Sequence, residues 1–319
     1  MVDVSEDGKS SALRYEELRL PQLADLPRER TVFFISVSPL EVHGPHLPLG
    51  TDVVIAGELE RRYRQSLAER HADLIMVTLP PLYLGSDALP IKGSLSIPAR
   101  ALAAVLVAYG KGLAAQGFRY LFIADNHGGP RHQLAMEAAA RRLWRRYKFY
   151  LINPFNLDFR LMVQHDPEFL RRTGLSPGTC GDDADSHAGT NETSLMLTAA
   201  PAQVDKTYNQ LPPATPPSLK GGAAILAAVA GICRACGGRR LAADLLHLAN
   251  TLAWVNDPQM TPYMGAPALA TPEAGEAMLR ERIRNGVELF EKALAGEGKE
   301  PVHLPPMLWP LRILRYLPE

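Results

Sequence analysis

The sequence contains little cysteine and no long hydrophobic run. Its three cysteines, Cys180, Cys233 and Cys236, are too few for a disulfide framework and are typical of a reducing compartment. Residues 1–20 are polar and charged, without the apolar core of a secretory signal. The most apolar stretch, residues 221–233, is about half as long as a bilayer span, so we expect a buried helix there. These absences predict a cytoplasmic protein with no membrane partner.

The chain also lacks an excess of charge of either sign. Lys and Arg together number 34, as do Asp and Glu, so the formal net charge is zero. Because nucleic-acid-binding proteins usually carry a basic excess, we expect no nucleic-acid partner. Hydrophobic residues make up 46% of the chain, which is typical of a globular protein and excludes intrinsic disorder.

Apolar runs of strand length alternate with helical patterns in the first half of the chain. Strands are predicted at residues 31–38, 74–79, 120–124 and 149–153, and helices at residues 53–69, 98–115 and 131–147. The alternation favours parallel βαβ units, and continuous apolar strands indicate helices on both faces of the sheet. The expected fold is therefore α/β: a three-layer sandwich with a mostly parallel sheet flanked by helices. Its chemistry is expected in the loops after the first and third strands, at the carboxyl ends.

The second half of the chain is less regular. We expect a long loop with one short helix over residues 156–190 and a proline-rich linker over residues 211–218. Helices are predicted over residues 222–254 and 272–295, and residues 191–197 begin a strand or a helix.

Three parts of the chain are predicted. Residues 1–29 form an N-terminal extension, residues 30–297 form the α/β domain, and residues 298–319 form an apolar tail. Because soluble proteins avoid large exposed apolar patches, the tail is expected to dock, favouring an interface between subunits.

The loop after the first predicted strand concentrates residue types that bind metals. Residues 41–52 read Glu-Val-His-Gly-Pro-His-Leu-Pro-Leu-Gly-Thr-Asp. Imidazole and carboxylate ligands suit zinc, manganese and iron. Glu41 and His43 lie on the same side of an extended backbone, and Gly44 and Pro45 can turn the chain so that Asp52 returns toward them.

Two further segments supply candidates. Residues 125–129, Asp-Asn-His-Gly-Gly, place His127 beside glycines that permit close approach of the backbone. Residues 182–194 read Asp-Asp-Ala-Asp-Ser-His-Ala-Gly-Thr-Asn-Glu-Thr-Ser, and offer an acid–base residue and a further carboxylate.

These segments resemble the three signatures of the creatininase (creatinine amidohydrolase) family, over roughly residues 30–295. The resemblance implies an α/β fold, two divalent metal ions per chain (Zn, Mn or Fe) and a homo-oligomer, often a hexamer. It assigns Glu41, His43, Asp52 and His127 to the metal ligands, with Asp52 bridging both ions. It also places His187 near the substrate.

Departures from the family pattern concern one ligand and the substrate pocket. Creatininase has a further carboxylate ligand two residues after the position of His127, where this chain has Gly129; Glu192 is the natural replacement. The family's Ser-x-Glu-His-x-x-Phe-Pro-Gly-Thr segment has lost its histidine here, at residues 86–94. Trp144, Trp254 and Trp309 are expected to lie away from the positions of the tryptophans that enclose creatinine. These departures argue against creatinine as the substrate.

The implied chemistry is hydrolysis of an amide by water activated at a dinuclear metal site. His187 is assigned to proton transfer with help from Asp185, and Asp183 is expected to orient the imidazole of His187. The candidate substrate-binding residues are His46, Asp183 and Ser86. The first hypothesis is a small-molecule substrate, a cyclic or formyl amide. Trimming of a peptide end, amide formation in the reverse direction and a non-catalytic metal-binding oligomer remain alternatives.

Overall fold

A five-stranded parallel sheet forms the centre of the computed structural model, which describes residues 12–296. The strands are β1 (Leu13–Arg14), β2 (Thr31–Ser36), β3 (Ile75–Thr78), β4 (Tyr120–Ala124) and β5 (Tyr150–Ile152), in the order β1-β3-β2-β4-β5. The central pair, β2 and β4, aligns Val32 with Tyr120 and Ser36 with Ala124. The predicted α/β fold with a parallel sheet is confirmed.

Ten α-helices belong to the described part of the chain. They are α1 (Leu20–Asp25), α2 (Thr51–Arg70), α3 (Ala99–Ala115), α4 (Pro130–Tyr147), α5 (Phe155–Val163), α6 (Pro167–Thr173), α7 (Thr190–Ala199), α8 (Gly221–Ala235), α9 (Arg239–Val255) and α10 (Pro272–Leu294). The long helix α10 begins where its sequence predicts, because the Thr271 hydroxyl accepts a hydrogen bond from the Ala274 N–H and Pro272 follows as the first helical residue.

Helices cover both faces of the sheet because successive strand residues point to opposite sides. Val32 and Phe34 of β2 belong to a core shared with α2, α7 and α10, where the ring of Phe290 stacks on Phe122 at 4.0 Å. Phe33 and Ile35 belong to a second core, formed with α3 and α4. The architecture is therefore the expected three-layer sandwich.

Two predictions for the second half of the chain are wrong. Residues 156–190 contain two helices, α5 and α6, where one short helix was expected. The helix predicted over residues 222–254 is interrupted after α8, where Gly237 adopts a positive φ of 84° and the Gly238 N–H donates to the Cys233 carbonyl. The alternative that residues 191–197 begin a helix is confirmed by α7.

Helix α8 is also less buried than its composition suggests. Only Ala223 and Ala230 are buried in it, whereas Ile225 is 67% exposed and Ile232 is 65% exposed. The expected buried helix is therefore an apolar helix with one face open to solvent. Within residues 12–296, no helix combines the length and the hydrophobicity that crossing a bilayer requires.

One predicted domain boundary can be compared with the structure, namely the end of the N-terminal extension at residue 29. Strand β1 falls inside the predicted extension of residues 1–29, yet it pairs with β3 as the edge strand of the sheet. The predicted tail of residues 298–319 lies outside the described residues, so its docking stays a prediction.

Candidate metal centre

The candidate site lies at the carboxyl ends of β2 and β4, where ligands bind in open parallel sheets. The loop after β2 brings Glu41 and His43 to this edge, and Asp52 follows in the first turn of α2. Strand β4 runs directly into the loop with His127. A third segment joins them, because His187 and Met264 exchange two backbone hydrogen bonds, and Glu192 follows in the first turn of α7.

Five predicted ligands converge on one cluster as two groups that share a residue. Glu41, Asp52 and His127 form one group, and His43, Asp52 and Glu192 form the other; within each group the ligand atoms lie within 4.8 Å of one another. Asp52 uses a different oxygen toward each side. Its Oδ1 lies 3.4 Å from His43 Nε2, and its Oδ2 lies 3.3 Å from His127 Nδ1. Asp52 therefore presents one oxygen to each of the two groups.

Backbone carbonyls orient both histidines of the cluster. Because a carbonyl only accepts hydrogen bonds, His43 Nδ1 must donate to the Glu41 carbonyl at 2.9 Å, which leaves Nε2 facing Asp52 at 3.4 Å. By the same reasoning His127 Nε2 donates to the Ser86 carbonyl at 2.9 Å, which leaves Nδ1 facing Glu41 and Asp52. Such outer contacts fix the tautomer and the direction of a metal-binding imidazole.

The buried polar atoms of the cluster fit a divalent cation. Glu41 Oε2, His43 Nε2 and Asp52 Oδ2 are buried and have no partner with hydrogen-bond geometry among the residues described. Burial without a partner is costly for polar atoms. A carboxylate and imidazole donor set turned inward in this way suits zinc or manganese.

The electrostatics keep the carboxylates ionised. Burial alone would raise the pKa of Asp52, but the neighbouring His43 and His127 hold it well below its usual range. Burial would lower the pKa of His43, yet the carboxylates of Asp52 and Glu192 raise it to about 10. A cation that binds here must therefore displace protons from the histidines.

Asn126 and Arg282 complete the cluster, although neither was predicted from the sequence. The Asn126 Nδ2 amide donates to Asp52 Oδ1 at 3.0 Å and to Glu192 Oε1 at 2.9 Å. Its Oδ1 accepts from Arg282 Nη1 at 2.8 Å. The Asn126 amide thus connects the carboxylates of Asp52 and Glu192 to the guanidinium of Arg282. Arg282 is buried, with 2% of its surface exposed. Asn126 could have been found inside the second motif, whereas Arg282 lies on α10 without a local motif.

Gly129 is the position at which the resemblance to creatininase implies an additional carboxylate ligand. A Cβ atom built there would lie 2.5 Å from His127 Nε2 and 2.8 Å from the Ser86 carbonyl oxygen. The hydrogen bond that orients His127 therefore requires glycine at this position. Glu192 approaches from α7 instead, with its Oε2 accepting from the Ala188 N–H at 2.6 Å and lying 3.7 Å from His43 Nε2.

Gly129→Ala is expected to displace His127 and lower the affinity for metal by about 10- to 100-fold, the usual effect of losing an outer contact to a ligand. Gly128→Ala is the matched control, because its Cβ would meet Phe155 and Phe159 at an ordinary 3.7 Å. Titration calorimetry with zinc on both variants measures the difference. Equal zinc affinities of the two variants would show that the hydrogen bond from His127 to the Ser86 carbonyl does not contribute to metal binding.

His187 lies at the edge of the cluster. Its Nε2 donates to the Val42 carbonyl at 2.6 Å, and its Nδ1 lies 3.9 Å from Glu192 Oε2. The imidazole ring packs against the ring of His43 at 4.2 Å and lies 5.7 Å from the ring of Trp254. Because Nε2 is committed to a carbonyl, Nδ1 is the atom left to exchange a proton.

Asp185, two residues before His187 in the chain, is buried. Burial raises the pKa of its carboxyl group well above the usual range, although the Asn191 N–H donates to Oδ2 at 3.0 Å. A Cβ atom at Gly181 or Gly189 would lie 2.1 Å from an Asp185 oxygen, so the surrounding backbone fits closely around this side chain. The contacts of Asp185 shape the segment that carries His187 and Glu192.

The structure does not bring the side chains of the predicted substrate-binding residues to the cavity beside the cluster. The Ser86 hydroxyl donates to the Ile97 carbonyl, and only its own carbonyl reaches the site, through His127. His46 Nε2 contacts the Thr193 hydroxyl at 2.9 Å, and burial lowers the pKa of His46 to about 4. Asp183 is exposed, and Val42 rather than Asp183 holds the His187 ring.

A cavity of about 630 Å³ adjoins the cluster. Its polar end contains Glu41, Asp52, His127, His187 and Glu192. Its walls are apolar and come chiefly from α5 and α9, with Phe155, Phe159, Met162, Leu248, Leu252 and Trp254 among them. Trp254 lines this cavity with its ring 5.7 Å from the ring of His187, and whether it corresponds to a tryptophan that encloses creatinine stays untested. Trp144 packs against Tyr150 instead, and Trp309 is outside the described residues.

Comparison with known proteins defines the family. The profile of the Creatininase: Creatinine amidohydrolase family matches residues 16–290. The chain therefore belongs to the creatininase family, and it is a hydrolase that acts on carbon–nitrogen bonds. The metal-binding residue types of the cluster agree with this assignment.

Relatives and solved structures extend the comparison. A mycofactocin precursor peptide peptidase of Mycobacterium ulcerans (strain Agy99) is 28% identical over 264 residues, covering 76% of this chain and 93% of that protein. A protein of the same name from Mycobacterium tuberculosis (strain H37Rv) is 26% identical over 260 residues, with the same coverage. The structure of a putative creatinine amidohydrolase from Bacteroides fragilis has a TM-score of 0.60 at 19% identity, covering 88% of this chain and 96% of that one. A manganese form of creatininase has a TM-score of 0.58 at 18% identity, covering 89% and 99%.

Proposed function

We propose that this protein hydrolyses an amide bond of a peptide at a dinuclear metal centre. The observation that carries the proposal is the apolar cavity of about 630 Å³ beside the ligand cluster. That volume lies in the range of roughly 300–1,000 Å³ that suits drug-sized ligands, and it exceeds what a cyclic or formyl amide would fill. The names of the mycobacterial relatives, which are peptide peptidases, support the same substrate class.

The ligand groups are proposed to hold two cations. Two divalent ions (Zn, Mn or Fe) in the Glu41–Asp52–His127 and His43–Asp52–Glu192 groups would polarise the substrate carbonyl and lower the pKa of a water molecule. His187 holds a proton at Nδ1 and passes it to the leaving nitrogen. The Val42 carbonyl fixes the orientation of His187 during this transfer, and Asp185 shapes the segment that carries it. The apolar walls exclude bulk water from the reacting group.

A small planar amide is the second candidate. The indole of Trp254 lies 5.7 Å from the His187 ring, at the reactive end of the cavity, and offers a flat apolar face there. A cyclic or formyl amide could stack on this face and leave the rest of the cavity to water.

Oligomer formation is part of the proposal. The exposed apolar side chains of α8, including Ile225 and Ile232, favour burial against another subunit. We expect a homo-oligomer, and the resemblance to the creatininase family favours a hexamer. Light scattering on the intact chain measures its mass, and the mass of a monomer would contradict this expectation.

One experiment separates the candidate functions. Protein purified without chelator should contain about two equivalents of divalent metal per chain by elemental analysis. The same preparation is incubated with acetylated apolar peptides, with N-formyl amino acids and with creatinine, and products are identified by mass spectrometry. Cleavage of the peptides is expected. Cleavage of the small amides alone would favour the second candidate, and a metal-loaded protein that cleaves none of them would favour a non-catalytic metal-binding oligomer.

A further inference from the structure

A buried arginine of α10 lies beside the candidate metal centre. Arg282 is 2% exposed, and its guanidinium donates from Nη1 to Asn126 Oδ1 at 2.8 Å and from Nη2 to the Asp125 carbonyl at 3.2 Å. An arginine is rarely buried unless it is paired, and it cannot give up its charge to relieve the cost of burial. A cation in this place would also repel a metal ion. The position of Arg282 therefore calls for a physical explanation.

Asp158 offsets the charge of Arg282 but does not explain the direction of the guanidinium. Asp158 Oδ2 lies 3.9 Å from Arg282 Nε, and Asn285 Nδ2 donates to Asp158 Oδ1 at 3.1 Å. Arg282 Nε has no partner with hydrogen-bond geometry in the described part of the chain. The donors with good geometry are the two that point toward the loop of Asp125 and Asn126.

The amide of Asn126 lies between two carboxylates of one ligand group. Its Nδ2 donates to Asp52 Oδ1 at 3.0 Å and to Glu192 Oε1 at 2.9 Å, so both N–H bonds of the NH₂ group are paired. Asp52 and Glu192 both belong to the His43–Asp52–Glu192 group, and two like charges at this separation repel each other. An NH₂ group shared by the two carboxylates offsets that repulsion and holds them together.

Arg282 pairs the other end of the same amide. Asn126 is 5% exposed, and among the described residues its Oδ1 accepts from Arg282. Without this donor a buried carbonyl oxygen would be left unpaired, which is costly. A cation at Oδ1 also polarises the amide and strengthens its N–H groups as donors, since linked hydrogen bonds reinforce one another.

We propose that Arg282 is a positioning residue for one of the two metal ions, the ion of the His43–Asp52–Glu192 group, and that it acts through Asn126. Arg282 can have this role only at a dinuclear centre, so the inference rests on the proposed function. Loss of the guanidinium should release the amide, and the two carboxylates that the amide holds should then move apart.

The other ligand group should depend less on Arg282. His127 has anchors of its own, because its N–H donates to Asp125 Oδ1 at 3.0 Å and its Nε2 donates to the Ser86 carbonyl at 2.9 Å. Neither contact involves Arg282 or Asn126. Substitution of Arg282 should therefore weaken the binding of the two ions unequally, whereas general damage to the fold would weaken both.

Arg282→Met tests this unequal effect in the full-length chain, depleted of metal and titrated with zinc by calorimetry. The affinity of one binding step should fall by about 10- to 100-fold, as when a ligand loses an outer contact, while the other step stays within about twofold of wild type. The weakened step should be the one that Glu192→Gln abolishes. Arg284→Gln is the matched control on the same helix, since Arg284 pairs with Glu281 and Glu288 instead, and it should change neither step.

A double-mutant cycle separates a positioning role from a purely structural one. Asn126→Ala should weaken the same binding step, and adding Arg282→Met to it should change little more, because the two residues act in one chain of contacts. Arg282→Lys is measured in parallel, since it keeps a cation beside Asp158. A lysine lacks the paired donors of the planar guanidinium, so it should still weaken that step, by less than Arg282→Met does.

Each outcome decides between the roles. Equal losses at both binding steps in Arg282→Met, or losses from Arg282→Met and Asn126→Ala that add up, would make Arg282 a structural residue and overturn the inference. Wild-type affinity at both steps in Arg282→Lys would overturn it as well. These results would leave the proposed function intact. A wild-type chain that binds fewer than two zinc ions would instead contradict the dinuclear centre of the proposed function itself.

Discussion

Glu192→Gln is expected to lower the metal content from about two equivalents per chain toward one. Activity should fall by at least about 100-fold, which is more than the usual effect of losing a residue that only contacts a metal ligand. The side chain is a member of the His43–Asp52–Glu192 group, so the substitution removes one of its two negative charges. It also disturbs the hydrogen bonds. Both oxygens of Glu192 accept, from Asn126 Nδ2 at 2.9 Å and from the Ala188 N–H at 2.6 Å, and a glutamine must turn its NH₂ toward one of these donors.

The neighbouring residue provides the control for Glu192. Thr193 Oγ1 contacts His46 Nε2, and Thr193→Ser keeps this hydroxyl, so metal content and activity should both stay close to those of wild type. Elemental analysis and a cleavage assay on the two variants, prepared in parallel, make the comparison. Full metal content and activity in Glu192→Gln would show that Glu192 is not a metal ligand. The carboxylate that is missing at Gly129 would then have no replacement.

The parts of the site that the sequence predicts are those encoded over short distances. Glu41, His43 and Asp52 lie within one loop and one helix turn, and His127 directly follows a strand whose end the apolar pattern marks. Parallel strands then bring the two loops to the same edge of the sheet. Local spacing and one rule of topology were therefore enough to predict that most of the candidate ligands lie together.

Long-range contacts could not be predicted in this way. Arg282 lies 156 residues from Asn126 along the chain, and an arginine on an amphipathic helix is ordinarily exposed. Trp254 reaches His187 because α9 turns that face toward the cavity, which spacing in the sequence does not reveal. Gly129 illustrates another long-range effect. The sequence indicates that a carboxylate is missing at this position, but it does not indicate that His127 and Ser86 leave no room for a Cβ atom.

Helix α8 is apolar in composition, yet most of its residues are not buried. Its apolar composition predicts that the helix needs a partner surface, yet it does not say whether that surface belongs to the same subunit. The structure places Ile225 and Ile232 on the open side, while Leu226 faces the cavity. One helix therefore contributes to the cavity wall and to the exposed apolar surface of the subunit.

His187→Ala is expected to reduce turnover by about 10²- to 10⁴-fold, the usual contribution of a general acid, while both metal ions stay bound. The reason is that Nδ1 is the proton-exchanging atom of a ring that the Val42 carbonyl holds through Nε2 at 2.6 Å. Metal content distinguishes this role from that of a ligand, because removal of a general acid leaves the ions in place.

Metal analysis and a second histidine variant complete the test of His187. His71→Ala is the control, since His71 contacts Glu291 at 2.9 Å on α10 and has no ring contact with the cluster in the described structure. It should keep both metal content and turnover. His187 also lies near Glu41 and His43, close enough for the three to form a further ligand group. Loss of a metal ion in His187→Ala, together with loss of activity, would therefore make His187 a ligand, and the proton for the leaving nitrogen would have to come from another group.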